Sequence, residues 1–220
     1  MRYKESTVLG TTAAAVRRFS ARRGVLGAVA LAAASVYALL PVNAAAAKFT
    51  SWTVTPGGPA SLGGPISIGP FSCPSWGLSG SFISGTGLPG NGLLTITSVN
   101  GSGPCSDGVN SVSVSPGNLP WSFNAVSYQS GVAVGNVSDV SLSLQYGFLC
   151  TATVTGPGSA PGTIDASYSN GFGSAALTLA GGNMEVTAAS GCDPTVIKVG
   201  DPMPVYANLH VTPVQTITSP

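Results

Sequence analysis

The chain has 220 residues, only 7% of them charged, and a formal net charge of +1. That charge belongs to the N-terminus: from Lys48 onward two lysines stand against six acidic residues, a net charge of −4. With no arginine beyond Arg23 the body has no phosphate-binding patch, which excludes nucleic acid as a partner.

Residues 1–47 have the layout of a cleaved signal peptide. Six of the eight basic residues precede a 17-residue apolar run, "GVLGAVALAAASVYALL", and the run exits through "PVNAAAAKF", where small residues between Ala44 and Ala47 fit a cleavage site. The run is short of the roughly 20 residues of a spanning helix, so no membrane span is expected after processing. Arg22 and Arg23 lie just before the run and resemble a twin-arginine signal, so both the general secretory and the twin-arginine routes fit. Either destination is secreted or cell-surface.

The exported part, residues 48–220, is about 173 residues, enough for a single domain burying roughly 70% of its unfolded surface. It is rich in Ser, Thr, Val and Gly, and apolar residues alternate with small polar ones over 51–55, 79–84, 93–99, 110–115, 121–127, 140–146, 150–156, 162–169, 175–180, 183–188 and 206–212. Such period-two segments, separated by turn signals such as "PGNG", "NGSGP", "SPGN" and "AGGN", predict an all-β domain. Its form would be an antiparallel β-sandwich or open barrel-like fold of roughly ten strands. Ser and Thr take the solvent positions where many β proteins carry Lys and Glu, so charge does not protect the sheet edges. Self-association follows unless loops, prolines or partners cover them.

All four cysteines, Cys73, Cys105, Cys150 and Cys192, lie in the exported part. An even number in an oxidising compartment predicts two disulfides. Of the three connectivities, Cys73–Cys105 and Cys150–Cys192 are favoured because each closes a loop of two or three strands. No C-x-x-C pair is present, and no metal or other cofactor is expected.

Catalytic groups are scarce. The single histidine, His210, lies on an alternating segment with no G-x-S-x-G elbow elsewhere to serve it. A glycosidase pair would have to come from Asp107, Asp139, Asp165, Glu185, Asp193 and Asp201; of these, Asp107, Asp193 and Asp201 lie in Gly- or Pro-rich turns, where Asp caps local backbone. No catalytic residue is assigned, and a cryptic hydrolase stays an alternative. Exposed rings among Trp52, Trp76 and Trp121 would instead make a sugar-binding platform, that of a carbohydrate-binding module. For Trp121 the core is the favoured place, because "WSFNAV" sends Trp121, Phe123 and Ala125 to one side of a strand.

A cysteine (Cys105), a short alternating strand, then Leu119, Pro120 and Trp121 as "LPW", then "GFLCTATVTG" with Cys150, then a late "GC" at Cys192 form an ordered pattern. In that order the chain resembles, over roughly residues 75–215, the small exported bacterial proteins known as protein activators of alkane oxidation. The resemblance implies an extracellular, disulfide-containing, non-enzymatic β-protein that assists growth on hydrophobic substrates; similar proteins are linked to biofilm matrix and adhesion. The implied partners are apolar surfaces or cell-envelope components.

Overall fold

The computed structural model describes residues 48–217 apart from 57–59, 64–68, 75, 85–87, 102 and 172–174. The signal peptide read over residues 1–47 lies outside the described residues.

The described chain is all-β, as the alternation predicts. Its strands come as long segments, most of them broken once. Strand β1 (Lys48–Pro56) is followed in line by β2 (Ala60–Leu62), β3 (Phe71–Cys73) by β4 (Trp76–Ser84), and β5 (Leu94–Gly101) by β6 (Cys105–Ser106). In the same way β7 (Ser111–Pro116) leads to β8 (Trp121–Gln129), β9 (Val132–Val140) to β10 (Leu142–Tyr146), and β11 (Cys150–Thr155) to β12 (Gly162–Ser169). Strand β13 (Ala175–Gly181) leads to β14 (Glu185–Ser190), and β15 (Val205–Thr212) closes the series.

Every pairing is antiparallel. One set of half-strands runs β1-β4-β5-β8-β9-β12-β13-β15, and β15 pairs back onto β1 from Thr53↔Thr212 to Pro56↔Leu209. The other set runs β2-β3-β6-β7-β10-β11-β14 and joins β15 through Leu62↔Val205 and Ser61↔Tyr206. The fold is therefore a meander whose long strands pass from a curled, barrel-like sheet into a second antiparallel sheet.

The described residues form fifteen strands against the roughly ten predicted; each alternating run becomes one strand, and the additions are the short β2, β3 and β6 and the strand β9. The break between β7 and β8 is a close crossing. The Gly117 N–H donates to the Ser141 carbonyl at 2.8 Å, and a Cβ on Gly117 would come within 2.0 Å of Ser141 Oγ. A side chain at 117 would have to displace the Ser141 hydroxyl, so glycine lets the two crossing points, one before β8 and one before β10, press together this closely.

Apolar positions of both sheets face inward. On β15 Val205, Ala207, Leu209 and Val211 are buried while Tyr206, Asn208, His210 and Thr212 are exposed. On β11 Cys150, Ala152 and Val154 are buried and Thr151 and Thr153 face water. This is the reverse of the apolar-out pattern of a membrane-spanning barrel, and no helix of the described residues is long and apolar enough to cross a membrane. Trp121, Phe123 and Ala125 all point into the core, so the side assigned to them by their alternation is the buried one. Tyr168, fully buried, packs its ring 5.6 Å from that of Phe82 and donates its hydroxyl to the Gln215 carbonyl at 2.7 Å.

Candidate functional site

Two neighbouring hairpin turns at one end of the second sheet carry the three most exposed large apolar side chains of the described residues. Val109, in the β6–β7 turn, is 89% exposed; Phe148 and Leu149, in the β10–β11 turn, are 98% and 84% exposed. Strand pairing brings the turns together: β7 lies beside β10 with Val112↔Tyr146 and Ser113↔Gln145, and the Gly147 N–H donates to the Ser111 carbonyl. Val109 and Phe148 line one shallow groove with Asn110, Ser111, Ser113, Gln145 and Gly147.

Local chemistry fixes each turn. In "SDGVN" the Asp107 carboxylate folds back on the chain that follows it, Oδ1 accepting from the N–H groups of Val109 (2.8 Å) and Asn110 (2.6 Å), as Asp does in tight turns. The Gly108 N–H is taken by Ser106 Oγ at 2.9 Å. The Tyr146 hydroxyl donates to Asp107 Oδ2 at 2.9 Å, and the Asn110 side chain donates to the Tyr146 oxygen at 2.6 Å, so the base of one turn is bonded to the tip of the other. The N–H groups of Asn110 and Val109, chiefly, hold the Asp107 carboxyl down at about 2, and the Tyr146 hydroxyl adds to the effect. Partial burial, and then the hydrogen bond to Asp107 and that residue's charge, raise the Tyr146 phenol above its usual range.

Behind the turns run two disulfides. Cys73 joins Cys105, and Cys150 joins Cys192, with no free cysteine among the described residues; these are the pairs that loop closure favours. The register places Cys105, Val112, Tyr146 and Cys150 opposite one another across β6, β7, β10 and β11. The row ends in a staple on each side. Beyond β14, Gly191 adopts φ +66°, and a Cβ there would lie 2.3 Å from the Leu149 carbonyl oxygen, which lets the chain leading to Cys192 press against the apolar turn.

The other candidates lie elsewhere. Leu119, Pro120 and Trp121 occupy the crossing between β7 and β8, at the far end of β7 from Val109. Trp121 is 2% exposed, and its Nε1 is the one buried side-chain nitrogen or oxygen of the described residues without a hydrogen-bond partner. Trp76 is also buried, so neither ring offers a face to a sugar; the Trp52 side chain is outside the described set. His210 is exposed on β15, between Thr55 of β1 and Ala176 of β13. The carboxylates with hydrogen bonds serve their own segments: Asp193 accepts from Thr195, whose hydroxyl and N–H lower its pKa, Asp201 accepts from the Lys198 N–H, and Asp139 accepts from Ser138. Among the described residues no three of His, Cys, Asp and Glu gather as a metal site.

Alternation along strands did not single out Val109, Phe148 or Leu149, since all three fall in turns. The legible signal was an apolar pair, "FL", placed between Gly147 and a cysteine at a hairpin bend, where polar residues are the rule. No protein-family model matches the chain, and no curated protein or solved structure matches it.

Proposed function

We propose that this is an exported, non-enzymatic β-protein that acts at the cell surface or another apolar interface, assisting the use of hydrophobic substrates such as alkanes or surface adhesion. The observation that carries the reading is the tip of Val109, Phe148 and Leu149, exposed on braced turns of an otherwise Ser/Thr-faced sheet. Large apolar side chains held in water on rigid turns mark a contact surface. The disulfide pairs and the resemblance to alkane-oxidation activators support the same reading.

The magnitudes set the character of the contact. Removing three such side chains from water is worth roughly 5 to 9 kcal/mol gross, before association costs of about 4 kcal/mol or more. That is no more than a single acyl chain supplies, and one such chain binds membranes reversibly. The protein therefore works by repeated, reversible adsorption.

Adsorption of the purified exported protein to hexadecane droplets tests the reading. Binding should persist in 1 M salt, where the screening length is about 3 Å and ionic adsorption is lost. It should disappear in the double variant Phe148→Ser, Leu149→Ser. Binding to a polysaccharide and not to oil would replace this reading with a carbohydrate-binding module.

A further inference from the structure

Resting on that reading, we infer that the tip docks on an uncharged lipid surface and enters only to the depth of the headgroups, with Tyr146, Asp107 and Asn110 as the polar collar at that level. Three features of the tip carry the inference.

The first is size. A specific protein partner takes about 800 Å² from each side, whereas three side chains on two convex turns offer a few hundred at most, an aromatic ring supplying roughly 150 to 250 Å². A deformable surface can wrap such a tip, whereas a stable protein partner needs more area than it offers.

Charge is the second. The carboxylates that the tip carries or adjoins are Asp107, inside the first turn, and Asp193, next in sequence to the disulfide-bonded Cys192 that braces the second. Neither lysine of the exported part belongs to these turns: Lys48 begins β1, and Lys198 sits in the chain between β14 and β15, its N–H bonded to Asp201. Anionic headgroups are recruited by Lys and Arg, so this collar repels them, and an uncharged lipid is the surface that fits.

Depth follows from the backbone. The amides of Gly108, Val109 and Asn110 are already satisfied by Ser106 and Asp107, but those of Phe148 and Leu149 form no hydrogen bond within the described residues. In hydrocarbon an unpaired amide is costly. At the headgroup level, water and ester oxygens still reach it while the side chains enter the acyl boundary.

The test is flotation of the purified, disulfide-bonded exported protein with vesicles of phosphatidylcholine alone and of phosphatidylcholine mixed with phosphatidylglycerol, beside the hexadecane assay. Phosphatidylcholine vesicles should bind the protein at least as well as the anionic mixture, and Phe148→Asp should weaken that binding by about tenfold or more. Phe148→Trp, which keeps a large apolar ring at the tip, should be quenched more by bromines near the ester end of the acyl chain than by bromines near its methyl end. Adsorption to hexadecane without binding to either vesicle would overturn the lipid inference and leave the apolar-interface reading in place; failure in both assays would overturn both. Preference for the anionic vesicles with release by salt, or stronger quenching from the chain ends, would also overturn the inference.

Discussion

Tyr146 and Asp107 stand 39 positions apart in sequence, and a 2.9 Å hydrogen bond from the phenol to Oδ2 joins them. The bond turns two separate hairpin ends into one tip, because Tyr146 precedes the Phe148–Leu149 turn and Asp107 organises the Val109 turn. Each turn is also tied to its own disulfide, so the apolar residues are presented on a base that cannot splay.

This bond gives a pH prediction. Asp107 has a folded-state pKa of about 2, below the ordinary carboxylate value near 3.9. A depressed carboxyl contributes stability that is fully present above the ordinary range and is lost as pH falls through the folded value. The turn should therefore stay ordered at pH 4 and loosen only toward pH 2. Carboxyl-carbon NMR titration should place Asp107 near 2, and Tyr146→Phe should raise it without bringing it to the unperturbed value, because the N–H donors of Asn110 and Val109 remain.

Removing a staple should loosen the tip and lower global stability together. Cys150 and Cys192 are separated by 42 positions, and closing a loop of that size restricts the unfolded chain by roughly 4 kcal/mol in the chain-entropy account. The double variant Cys150→Ser, Cys192→Ser should lose about that amount in urea titration. Amide exchange should speed up at Gly147 and in β11, whose N–H groups are bonded, before it does in β12 or β15.

The strands of this fold were legible where alternation is clean and hidden where it is broken. The run 162–169 is β12 residue for residue, because Ile164, Ala166 and Tyr168 face in while Thr163 and Asp165 face out. Strand β9 gave no such signal: Gly135 and Asn136 interrupt its apolar positions, and Asp139 takes a positive φ of 64° beside a register shift against β12. Strands β2, β3 and β6 are two or three residues long, too short for any periodicity. The return of β15 onto β1 joins residues more than 150 positions apart, a relation that local patterns do not carry. The tip was half legible: "SDGVN" announces an Asp-capped turn and "GFLC" an apolar bend, but their adjacency arises only from the β7–β10 register.

The proposed export makes a prediction of its own. The mature chain should begin between Ala45 and Lys48, since small residues of "NAAAAK" follow Pro41 at the end of the apolar run. N-terminal sequencing of culture supernatant decides the matter, and an intact leader on an envelope-embedded product would contradict it.

The indole nitrogen of Trp121 offers a way to separate packing from polarity. The ring is buried and Nε1 has no partner among the described residues, so the site bears the desolvation of an N–H without a compensating bond. Trp121→Phe removes that group and keeps most of the apolar area; it should cost less than about 1.5 kcal/mol, whereas Trp121→Ala should cost roughly 3 to 5 kcal/mol. A loss for Trp121→Phe well above that bound, measured by urea unfolding with the disulfides intact, would mean that the nitrogen is satisfied in solution.

Core and tip should then part company in function. Phe148 and Leu149 are 98% and 84% exposed, so Phe148→Asp should leave the unfolding free energy within about 0.5 kcal/mol of the parent, as surface substitutions do, while oil adsorption falls. Trp121→Ala should act the other way: adsorption should fall only in proportion to the folded fraction, because the ring never reaches the interface. Plotting adsorbed protein against folded fraction for both variants distinguishes the roles. A point for Trp121→Ala far below the proportional line would make Trp121 a contact residue; a point for Phe148→Asp lying on the parent value would move the contact surface away from the tip.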